Sequence, residues 1–75
     1  MTEKEICNLL KKSFKHLKKK KIDMRNDLIK DHIIDSLELM SLVSILEKKK
    51  IFNLKQYVKK ENNFKLHNIL KFINK

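Results

Sequence analysis

The chain has no glycine, no proline and no tryptophan, and only one cysteine, in 75 residues. Alanine is missing too, and Arg25 is the only arginine. Without Gly and Pro, the tight turns of β-hairpins lack the residues that reach their backbone angles, so an all-β fold is excluded as the natural reading. The lone Cys7 rules out an internal disulfide and zinc sites of the paired-cysteine kind. At the edge of an apolar helical face, it reads as a small half-buried core residue. No apolar run approaches the ~20 residues of a membrane span, so no membrane span is expected. The opening MTEKEICNLL lacks the charged-then-apolar pattern of a secretion signal, and a cytoplasmic location is expected. His16, His32 and His67 fall in different elements without ligand spacing, so no metal site is expected.

Acidic residues are scarce as well. Nine Asp and Glu face 19 Lys and Arg, giving a formal charge of +10. Such a balance points to a polyanion, either nucleic acid or an anionic surface. A plainer cause gives the same composition, because Lys, Ile and Asn all have A/T-rich codons. A single Arg and no helix rich in Arg, Asn or Gln speak against sequence-specific DNA reading. The lysine runs at 18–21, 48–50 and 59–60 read first as solvated faces.

What is present is helical. Apolar residues make up 41 % of the chain, chiefly Leu and Ile, enough for one small core in a single domain over 1–75. Thr2 with Glu5 fits a capping box. Ile6, Leu9, Leu10, Phe14 and Leu17 then recur at helical spacing, predicting a helix over 3–18. Residues 19–34 read as a long ordered connection pinned by Ile22, Met24, Leu28, Ile29, Ile33 and Ile34, with a turn of helix near Asp27. A second helix starts at Asp35 or Ser36, with Asp suited to the N-cap and to the positive end of the helix dipole. Its main stripe is expected on Leu37, Met40, Val43 and Leu46, with Leu39 and Leu42 beside it. Lysines 48–50 stand at its C-terminal end, where cations are favoured. A short third helix is expected at 54–59. A last one carries Leu66, Ile69, Leu70 and Ile73, capped by Asn62 or Asn63. The fold class is all-α: a small four-helix bundle of three main helices and one short one, with a long first loop. The phenylalanines read as core or core edge.

One segment breaks the charge pattern. Residues 31–47 contain no Lys or Arg, where an even spread would place about four. The segment holds IIDSLELMSLVSILE. Its Asp35-Ser36-Leu37 triplet, the acidic Glu38 and the closing Leu46-Glu47 resemble the signature of acyl and peptidyl carrier proteins. Asn63-Phe64, ahead of the last apolar helix, is similar to the corresponding segment of stand-alone carriers. The resemblance covers about 28–73, and the order of helix, long loop and helix extends it to the N-terminus.

The resemblance implies an acyl-carrier-protein-like bundle that is not itself an enzyme. Ser36 would bear 4′-phosphopantetheine, attached by a phosphopantetheinyl transferase from coenzyme A. The arm would carry an acyl or aminoacyl thioester. Asp35 and Leu37 would flank the attachment site, and Glu38, Met40 and Glu47 would serve partner recognition. Implied partners are a loading ligase and an acyltransferase or synthase, of fatty acid, polyketide or nonribosomal peptide type. A monomer is expected. The chain departs from the family in being basic. It also has His32 near where many members have Gly, and Lys50-Ile51 where Phe-Gly often follows. Two alternatives stand beside this reading: a small basic helical protein binding nucleic acid non-specifically, and an unmodified carrier-like interaction module.

Overall fold

The computed structural model describes residues 1–74, so Lys75 of the single domain expected over 1–75 lies outside the described residues. Four helices surround one core: α1 Glu3–Ser13, α2 Ser36–Lys48, α3 Leu54–Lys60 and α4 Leu66–Ile73, with a 3₁₀ turn at Lys15–Leu17. No strand occurs among the described residues, so the expected small helical bundle is what forms. Its core draws Ile6 and Leu10 from α1, Leu42 and Leu46 from α2, Tyr57 from α3 and Leu66 and Ile69 from α4. Phe14 and Phe52 are buried, while Phe64 and Phe72 pack at the core edge.

The first helix is shorter than its apolar spacing predicts. Thr2 and Glu5 form the expected capping box, but α1 ends at Ser13, where Phe14 turns extended at φ −125° and ψ 105°. Phe14 and Leu17 are both buried across this break. A continued helix would instead lead into four adjacent, mutually repelling lysines at 18–21. Burial at the break outweighs helical spacing.

The second helix starts where expected but is rotated about its axis. Leu39, Leu42, Val43 and Leu46 are buried, whereas Leu37 is 80 % and Met40 53 % exposed. The stripe is therefore the i, i+3, i+4, i+7 set beginning at Leu39, and Leu37 and Met40 are not part of the core. With apolar residues around much of α2, spacing alone leaves its rotation open. The buried Ile33 and Ile34 just before it set the angle at which the chain enters.

The long connection is held by polar bonds as well as by its apolar side chains. Asp27, only 4 % exposed, caps a single helical turn: its Oδ1 accepts from the N–H groups of Ile29 and Lys30 at 3.0 and 2.9 Å. Its Oδ2 accepts from the N–H of Phe64 at 3.1 Å, across 37 residues. The loop carbonyls of Asn26 and Met24 accept from the N–H groups of Leu66 and His67 at 3.0 and 2.9 Å. Those are amide donors that a helix start leaves without intrahelical partners. Neither Asn62 nor Asn63 is the N-cap of α4. Lys65 holds that position without a side-chain cap, because the connection itself supplies the acceptors. Asn63 instead receives the Lys65 N–H and the Asn68 amide on its Oδ1. Its carbonyl takes the Tyr57 hydroxyl at 2.9 Å.

Two turns need left-handed backbone, and the chain has no glycine to supply it. His32 has φ 55° and Lys50 φ 59°. After α2, the N–H of Lys50 donates to Glu47 O and that of Ile51 to Leu46 O, at 2.9 and 3.3 Å. This is the Schellman pattern, whose left-handed position is usually Gly. The turn at Asp27 ends the same way: Ile33 N–H donates to Leu28 O at 3.1 Å, with His32 left-handed before it.

Two predictions follow from these features. Lys50→Gly relieves the Cβ clash and stabilises the fold by about 1 kcal/mol, a Tm rise of about 4–8 °C at this size. Thermal unfolding followed by circular dichroism checks it, and an unchanged or lower Tm contradicts it. Burial alone would raise the Asp27 carboxyl, but the N–H groups of Lys30, Phe64 and Ile29, with the Lys30 charge, hold it below the usual aspartate range. The unfolded chain therefore binds this proton more readily than the folded one, and stability rises with pH. The contribution is fully present above the unfolded value of about 3.9 and is lost as pH falls through the lowered folded value. Asp27→Asn places an amide where carboxylate oxygens receive three N–H groups. It costs about 1–3 kcal/mol at neutral pH, and the gap to the native protein narrows below pH ~4. Urea unfolding across pH measures both effects.

Candidate functional site

The residues singled out by the 31–47 segment meet at the start of α2. Asp35 is the N-cap, at φ −92° and ψ 179°. Its Oδ1 accepts the Glu38 N–H at 2.8 Å, and Glu38 Oε1 accepts the Asp35 N–H at 3.1 Å. This is a complete capping box, like that of Thr2 and Glu5 at α1. The sequence signal is an acid three positions after the Asp that precedes the helix.

Ser36 occupies the first helical position. It is exposed, and among the described residues its hydroxyl has no hydrogen-bond partner. A serine at a helix start normally acts as the cap, but here Asp35 already does so. The cap leaves the amides of Ser36 and Leu37 pointing outward at the positive end of the helix dipole, a setting that favours an anion. An exposed hydroxyl beside two open amides suits a phosphodiester linked to that serine.

A histidine far away in sequence completes the arrangement. His16 Nε2 lies 2.7 Å from Glu38 Oε2, across 22 residues. The carboxylate can only accept, so Nε2 carries the hydrogen. The pair becomes an ion pair when the imidazole is protonated. Phe14 sits beside the His16 ring, with centroids 6.3 Å apart. The break after α1 thus places the 3₁₀ turn against the first turn of α2. No periodicity or motif marks His16 for this position, and only the fold reveals it.

The other predicted residues divide. Leu37 and Met40 are exposed next to Ser36, one and four positions along the helix. Glu47 lies 11 positions on, about 16 Å away along the axis. It borders an open hollow that includes Phe52 and Phe72, not the serine. His32 and His67 are exposed, and the described residues contain no His, Cys, Asp and Glu grouping able to hold a metal. Cys7 is half-buried as expected, and that burial pushes its thiol up. No described helix is long and apolar enough to cross a membrane. No family model, curated protein or solved structure matches the chain.

If Asp35 rather than Ser36 caps α2, the two alanine variants separate cleanly. Asp35→Ala costs about 1 kcal/mol, whereas Ser36→Ala stays within about 0.5 kcal/mol of the native protein. Urea denaturation of both variants measures the difference, and equal losses would mean that the serine has a structural duty.

Proposed function

We propose that the protein is a carrier whose Ser36 bears 4′-phosphopantetheine and presents an acyl or aminoacyl group to partner enzymes. The observation that carries this reading is the exposed, unbonded Ser36 hydroxyl at a helix start already capped by its neighbour. The left-handed backbone at His32 and Lys50 adds support. Both positions lie at or beside places where the carrier family has glycine, so the two turns that bracket α2 are ones a glycine would suit.

When bound, the arm supplies a terminal thiol that holds the cargo as a thioester. The chain's own residues do the rest. Asp35 and Glu38 hold the first turn of α2 in one geometry. Ser36 would offer its oxygen to the phosphorus of coenzyme A as the pyrophosphate linkage breaks and adenosine 3′,5′-bisphosphate leaves, with the open amides of α2 facing the phosphodiester anion. No base on this chain is bonded to the hydroxyl, so its proton would pass to the transferase. Leu37 and Met40 stand where an enzyme handling the serine would touch them.

The test is incubation with coenzyme A, magnesium and a broad-specificity phosphopantetheinyl transferase, followed by intact-mass measurement. One phosphopantetheine is expected on the native chain and none on Ser36→Ala. An absent addition, or one that survives the substitution, contradicts the proposal. A second reading rests on the charge of +10 and the exposed lysine runs: non-specific binding to nucleic acid. It requires affinity that falls steeply with added salt.

A further inference from the structure

The acids of segment 31–47 are largely engaged within the molecule. Asp31 Oδ2 accepts from the Asp27 N–H and the Asn26 amide, at 2.8 and 3.3 Å. Asp35 Oδ1 holds the Glu38 N–H. Glu38 gives one oxygen to the Asp35 N–H and the other to His16. Only Glu47 has no such role, and it adjoins lysines 48–50. The first three carboxylates also lie against backbone N–H groups, whose partial positive charge offsets theirs.

From Ser36 to Ser44, the exposed residues of α2 are uncharged. Among the described residues, three large hydrophobic side chains are left exposed: Leu37, Met40 and, on α3, Val58. Exposed Ser41 and Ser44 continue the same strip, each four positions on, from Leu37 and Met40 respectively. Lysines frame it. The His16–Glu38 contact brings the 3₁₀ turn, with exposed Lys15 and Lys18, to the Ser36 end. Lys48, Lys49 and Lys50 stand exposed at the other end.

Resting on the reading of Ser36 as the arm-bearing residue, we infer that the partner enzymes dock on Leu37, Met40, Ser41 and Ser44 with an apolar contact framed by acidic side chains. A partner with a basic face would meet lysines at both ends of the strip and few unengaged carboxylates between them. Like charges facing across an interface slow encounter and select against that partner. An acidic rim gains on both counts, and the apolar pair supplies area beside the serine.

The experiment measures loading of Ser36 against carrier concentration with two phosphopantetheinyl transferases, one with a basic carrier-binding face and one with an acidic face. Each is run at low and high salt. The acidic-faced enzyme is expected to show a KM lower by about tenfold, rising with salt as attraction is screened. The basic-faced enzyme is expected to show a KM that falls with salt. A Lys15→Glu/Lys18→Glu/Lys48→Glu variant, all at exposed positions, reverses that preference, and Leu37→Ala/Met40→Ala raises KM several-fold with the acidic-faced enzyme. A lower KM for the basic-faced enzyme overturns the inference, since the acids of 31–47 then recruit partners despite their internal bonds. Loading by both without charge preference overturns it too, while leaving Ser36 as the attachment residue. Absence of loading by either removes both claims.

Discussion

The rest of the molecule depends on one buried carboxylate. Asp27 receives three backbone N–H groups, two from its own turn and one from Phe64 at the approach to α4. Around it, loop carbonyls take up the amides that α4 leaves open, and Leu28 N–H donates to Phe64 O at 3.0 Å. A connection of this length between helices is costly to order. Here it is ordered because it doubles as the N-terminal cap of the last helix. The same connection buries Ile33 and Ile34, whose N–H groups both donate to Leu28 O, directly ahead of α2 and Ser36.

The sequence made the helix count, the Thr2–Glu5 box and the start of α2 readable, because each rests on local spacing and capping chemistry. It left open what depends on tertiary packing. A helix apolar over most of its circumference does not reveal its buried face, so spacing points Leu37 and Met40 inward where both are exposed. The end of α1 was set by the burial of Phe14 and Leu17 across a break, which periodicity cannot show. The open amides of α4 are met by carbonyls about 40 positions away, which no reading of the neighbouring Asn residues reveals. At the site, Asp35 and Ser36 were legible from one short motif. The His16–Glu38 bond was not, since no pattern links residues 22 apart.

A single view accounts for the charge pattern. Segment 31–47 is free of lysine because it begins with a turn and a helix start that need carboxylates as hydrogen-bond acceptors. Asp31, Asp35 and Glu38 fill those places. Those three acids have structural roles first, and the exposed α2 positions from Ser36 to Ser44 are apolar or hydroxylic. The same economy appears in the backbone, where His32 and Lys50 take left-handed angles in a chain without glycine.

The central claim is that Ser36 is an attachment point and not a cap. The most direct measurement is mass mapping of the protein purified from the cells that make it, after cleavage at lysine. The peptide 31–48 contains Ser36, Ser41 and Ser44, so fragment ions must locate any added group. The account predicts phosphopantetheine on Ser36, free or carrying an acyl or aminoacyl thioester. A peptide that is wholly unmodified, or modified only at Ser41 or Ser44, would contradict it.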